Sequence, residues 1–190
     1  MQHTRTPLLD RRGFLKLGLA GSAVLGTVSL GAGLSGCHAR EQAAAQGFGF
    51  FQDADLVLFT ALAPVVLAGS LPAGAEERSG HIQLLLQRMD YGCGLLAPSA
   101  RAELRKLLDL LNLGLTRRLA ARVSRPWDQA DAEQIDAFLQ RWRDSSIGLF
   151  NAGYRALVAL LAGAHYGTPA GWAASGYPGP PRWIVDALQA

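Results

Sequence analysis

The chain has 190 residues, enough for one domain with a real core, and its 18 basic and 15 acidic side chains give a formal charge of +3. Two cysteines, Cys37 and Cys93, are too few for a cysteine-ligated iron–sulfur cluster or a disulfide framework. The basic excess sits in the first 36 residues, where Arg5, Arg11, Arg12 and Lys16 face only Asp10; the remainder holds fourteen groups of each sign, and composition lends no support to nucleic-acid binding.

At the front, Arg11-Arg12-Gly13-Phe14-Leu15-Lys16 precedes an uncharged stretch from Leu17 to Leu34. A basic head followed by an apolar run is the layout of a secretory signal, and the paired arginines point to the twin-arginine route. A permanent anchor is the alternative, because the run approaches the roughly 18 to 20 residues of a membrane span. Gly18, Gly21, Gly26, Gly31 and Gly33 weaken that alternative by lowering both helix propensity and hydrophobicity. Leu34-Ser35-Gly36-Cys37 resembles a lipobox, in which Cys37 is lipidated and becomes the first mature residue; ordinary cleavage nearby is the alternative. The expected organisation is a twin-arginine lipoprotein signal over 1–36, a tether over 37–50 rich in Ala, Gln and Gly, and a helical domain over 51–190. The expected location is the periplasm, with the protein held on a membrane through Cys37 after passage through the twin-arginine translocase.

Asp53 and Asp55 suit a helix N-terminus, and Leu56, Phe59, Leu62 and Ala63 follow at helical spacing until Pro64 should kink or interrupt the run. Gly69 to Gly74 reads as a turn, and Ile82, Leu85, Leu86 and Met89 predict a second helix from His81 to about Tyr91. Leu104, Leu107, Leu108 and Leu111 mark the clearest helix, starting at Pro98-Ser99 with Ser99 as a cap. Leu115, Leu119 and Val123 continue helically to a stop before Pro126. Asp128 and Asp131 introduce an amphipathic run with Ile135, Phe138, Leu139 and Trp142 on one face. A last long helix spans Ile147 to Tyr166. No segment alternates as a strand does, so the expected class is all-α, a small bundle of five or six helices with an irregular Pro/Gly/aromatic C-terminal segment. In that segment Pro169, Pro178, Pro180 and Pro181 preclude continuation of the helix, and Trp172 and Tyr177 either pack back on the bundle or face a partner.

Motifs for chemistry do not emerge. The sequence has no haem-attachment motif, no Glu-x-x-His pair in the mature part, no Gly-x-Ser-x-Gly elbow and no phosphate or dinucleotide loop. His81 and His165 have the option of converging, yet two histidines without a placed carboxylate make a weak metal site, and core or surface roles are the plainer reading. Cys93, beside Leu95 and Leu96, reads as a small buried residue in preference to a reactive thiol. No catalytic, metal or cofactor-binding residue is nominated.

Arg141-Trp142-Arg143, Gly153-Tyr154-Arg155, His165-Tyr166-Gly167, Trp172 and above all Gly176-Tyr177-Pro178-Gly179-Pro180-Pro181, together with the signal, resemble the gluconate 2-dehydrogenase subunit 3 (gamma or small subunit) family. The resemblance covers the signal and much of Phe48 to Pro181. It implies a non-catalytic small-subunit domain with no cofactor of its own, carrying the export signal for a glucose-methanol-choline type flavoprotein that holds FAD and oxidises a sugar or alcohol. It also implies a cytochrome c subunit as a further partner in some complexes, and a partner-binding role for Trp172, Tyr177, Pro178, Gly179, Pro180 and Pro181. The alternative is a stand-alone helical envelope lipoprotein with a structural or interaction role.

Overall fold

The structure, a computed structural model, describes residues 43–181 together with 183, 184 and 187. The signal residues Arg11, Arg12, Phe14, Leu15 and Lys16 and the lipidation candidate Cys37 lie outside the described residues. Seven α-helices and no strand are found among the described residues, so the chain is an all-α bundle.

Helix α1 (Asp53–Val66) begins where the two aspartates predict, with Gln52 and Asp55 closing a capping box. It continues two residues beyond Pro64, and the N–H of Leu67 bonds back to Ala63 to close the last turn. Proline at this point therefore does not interrupt the helix; the chain leaves it three residues later. Helix α2 (Ala75–Gly94) starts six residues ahead of His81. Glu76 and Glu77 complement its N-terminal dipole, and Arg78 ties it to the carbonyls of Pro72 and Ala73. Helix α3 (Pro98–Asn112) is entered through Pro98 in its first turn, with Ala97 and not Ser99 in the cap position.

A short helix α4 (Gly114–Thr116) runs straight into a π-helical turn, Arg117–Ala121, which ends at Arg122 in the left-handed region with φ 53°. After a 3₁₀ turn (Trp127–Gln129), Asp131 caps α5 (Ala132–Arg143) by accepting the N–H of Gln134. Helix α6 (Gly148–Tyr166) buries Gly153, Leu157, Leu161 and His165 at every fourth position. The tail then departs from expectation: it begins a further helix, α7 (Pro169–Ser175), with Pro169 in the first turn and Thr168 capping the N–H of Gly171. Gly176, at φ 71°, ends it.

Helix α1 lies at the centre, against α2, α3, α5, α6 and the Trp127 turn. Its Leu58, Phe59 and Leu62 are fully buried with Leu86 and Met89 of α2, Leu108 and Leu111 of α3, Phe138 and Trp142 of α5, and Leu157 and Leu161 of α6. Burying each such side chain contributes about 2 kcal/mol of transfer free energy. The domain also begins earlier than composition predicts. Asp90 on α2 accepts the N–H groups of Gly49, Phe50 and Phe51 at 2.8, 2.9 and 2.7 Å, while Ala45 is buried and Phe48 and Phe50 pack on the core. Residues 45–50, expected within the tether, are thus fastened to the bundle.

Candidate interaction surface

Polar and exposed apolar side chains gather at several places among the described residues. The first is internal. Asp55, with no exposure, accepts Nη1 and Nη2 of Arg105 at 2.6 and 2.8 Å, Nδ2 of Asn112 at 2.7 Å and the N–H of Gln52 at 2.8 Å. Arg105 also donates to Asp109 one turn on. Four donors on one carboxylate, drawn from α1 and α3, make this a structural clamp with no free lone pair aimed at a cleft.

The second is the histidine pair. His81 and His165 do converge: Nε2 of His81 lies 3.0 Å from Nδ1 of His165, which is fully buried and whose Nε2 has no partner. Burial lowers the pKa of both rings from 6.5, and the neighbouring His81 lowers His165 further. An unpartnered lone pair costs less than an unpartnered N–H, which favours the tautomer in which His165 donates from Nδ1 to His81. No group of three or more His, Cys, Asp or Glu able to hold a metal occurs among the described residues. Cys93 is buried, as its surroundings predict, and burial, with Asp90 and Asp55 nearby, pushes its thiol up to about 11.

The third is the outer face of α6. Ala152, Ala156, Ala159 and Gly163 leave room beside neighbouring helices, and two grooves result. One, of about 560 Å³, lies against α3 and is lined by Leu96, Leu104, Leu107, Leu149, Ala156 and Leu160. The other, of about 660 Å³, lies against α2 with Leu84, Met89, Tyr91 and Gly92. Ala159 and Leu160 line both, so the grooves meet on α6. Leu84, Tyr91, Leu96 and Leu149 stay exposed along them, with Tyr91 and Leu149 about 70 % accessible. Contiguous exposed apolar surface of this kind marks sites of association.

The fourth is the C-terminal hook. Trp172 is half-buried and donates from Nε1 to the carbonyl of Tyr166, while Tyr177 meets its ring edge-on at 6.0 Å. Gly179, at φ 92°, lies flat on the Trp172 face; a Cβ there would sit 3.0 Å from the ring. The segment therefore packs back on α7, yet Tyr177, Pro178 and Pro181 remain exposed. Sequence reasoning singled out the hook and missed the α6 face, whose small residues acquire meaning only once α2 and α3 are seen not to cover them.

Among the described residues no helix is long and apolar enough to cross a membrane. Comparison with protein-family models, with curated proteins and with solved structures returns no match.

Proposed function

We propose that the chain is a non-catalytic small subunit that binds and stabilises a folded FAD-dependent sugar or alcohol dehydrogenase subunit and helps to export it through the twin-arginine pathway. The observation that supports this reading best is the apolar face of α6, where two grooves edged by exposed leucines meet. A surface of that type suits a large protein partner, and aromatic hooks such as Trp172 and Tyr177 are residue types that dominate binding energy in interfaces. The flavin and the reacting substrate belong to the partner; this chain contributes the signal, the lipid tether at Cys37 and the docking face, and a cytochrome c subunit is a further neighbour only in complexes that include one.

Replacing exposed Leu149 with Glu tests the docking face, because it adds charge to the groove without touching the core. The expected result is at least about a tenfold loss of co-purifying flavoprotein with an unchanged melting temperature. Arg11→Lys with Arg12→Lys is expected to leave both subunits in the cytoplasm, and Cys37→Ser to release them from membranes. Undiminished flavoprotein recovery with Leu149→Glu would remove α6 from the interface, and unchanged export of the arginine variant would remove the twin-arginine assignment.

A further inference from the structure

Leu113, Leu115 and Leu119 are 60, 70 and 70 % exposed, three large apolar side chains within seven residues. They are not on loose chain. Thr116 Oγ1 donates to the carbonyl of Leu113 at 3.0 Å, Trp142 Nε1 to Ala120 at 3.1 Å and Arg141 Nη2 to Ala121 at 2.6 Å, while Arg117, Ala121 and Val123 are buried beneath. The leucines are therefore held outward by a backbone fixed from behind.

Arginines are interleaved with and follow them: Arg118, Arg122 and Arg125 are all exposed on the same short stretch of chain. No acidic residue occurs between Asp109 and Asp128, and among the described residues these three arginines are not ion-paired. Arg141 of α5 adds to the same field: its guanidinium is held below the usual range by burial and by the charge of Arg122. In a domain whose charges otherwise balance or run negative, this is a local concentration of positive charge around three exposed leucines.

We infer that the Leu113–Arg125 segment is a membrane-surface docking site, its leucines entering the acyl boundary and its arginines pairing with anionic lipid headgroups. Leucines interleaved with arginines fit a bilayer interface, where the apolar groups find hydrocarbon and the guanidinium stems reach back to phosphate. A nucleic acid would satisfy the arginines and leave the leucines in water. The site does not rest on the dehydrogenase-subunit proposal, since residues 113–125 and the α5 side chains that hold them carry it. Its consequence is orientational: a chain docked this way presents a fixed side to the membrane.

Hydrogen exchange of the full chain on vesicles tests this locally, whatever the N-terminal segment contributes to overall attachment. On vesicles of phosphatidylglycerol with phosphatidylcholine, the amides of residues 113–125 are expected to exchange about fivefold or more slowly than in solution. On phosphatidylcholine alone, and for the Arg118→Gln, Arg122→Gln, Arg125→Gln chain on either vesicle, that protection is expected to vanish. The Leu115→Ser, Leu119→Ser chain should lose it as well. Unchanged exchange across 113–125 on anionic vesicles overturns the inference, as does equal protection on neutral ones; an acidic protein as the true partner would give the first of these.

Discussion

Nε2 of His81 and Nδ1 of His165 stand 3.0 Å apart, so one hydrogen bond between residues 84 positions apart ties α2 to the last turn of α6. Both rings have folded-state pKa values lowered from 6.5, first by burial. The unfolded chain therefore takes up protons as pH falls through 6.5 while the folded chain does not. The stability that neutral rings lend is fully present above 6.5 and is lost progressively below it. The melting temperature is expected to drop between pH 7.5 and 5.5. The His81→Gln, His165→Gln chain should show a clearly flatter profile over the same window; an identical slope would mean that other groups set it.

Arg105 and Asp55 join α3 to α1 through a carboxylate with no exposure. Arg105→Ala leaves that carboxylate buried with only the Asn112 amide and the Gln52 N–H as partners. The expected cost is about 3 to 5 kcal/mol. Urea unfolding with a shared slope measures it, and a loss under about 1 kcal/mol would show that the clamp contributes little net stability.

At Gly153, α6 lies directly on the Trp142 ring of α5. A Cβ there would come 2.5 Å from Cζ3 and 3.0 Å from Cε3 of Trp142, a ring also stacked on Phe150 at 5.1 Å and so without room to retreat. Gly153→Ala is expected to destabilise by about 1 to 3 kcal/mol. Thermal unfolding and near-ultraviolet circular dichroism of the tryptophan environment check it; a native spectrum with unchanged stability would mean that the helices separate freely.

With its pKa raised to about 11 and its sulfur buried, Cys93 should resist thiol reagents in the folded chain. In the Cys37→Ser chain at pH 8, labelling is expected to run at least about a hundredfold slower than in urea. Fast labelling of the folded chain would reveal an opening that exposes α2.

The parts legible in the sequence are those with a one-sided apolar stripe. Leu104, Leu108 and Leu111 of α3 and Ile135, Phe138, Leu139 and Trp142 of α5 are buried as their spacing predicts, and Asp131 caps α5 as expected. What escaped had no local signature. Ala75 to Gly80 form the first turns of α2 with every side chain exposed, so no periodicity announces them. Pro169 reads as a stop and in fact occupies a first turn, where its missing N–H costs nothing. Residues 49–51 are held by Asp90, about forty positions away. The convergence of His81 with His165 was allowed by the sequence but not determined by it, because it depends on how α2 packs against α6. The α6 grooves are set by what neighbouring helices leave uncovered, a property of packing and not of any one segment.

The central claim is that this chain works bound to a flavoprotein, and the most direct measurement is the absorbance spectrum of what co-purifies with the tagged protein extracted from its host membranes. The expected result is a yellow complex with flavin absorbance, and a flavoprotein that stays in the cytoplasm when this chain is deleted. Recovery of the chain alone and colourless, with no flavoprotein stranded by its deletion, would contradict it and favour a stand-alone envelope lipoprotein.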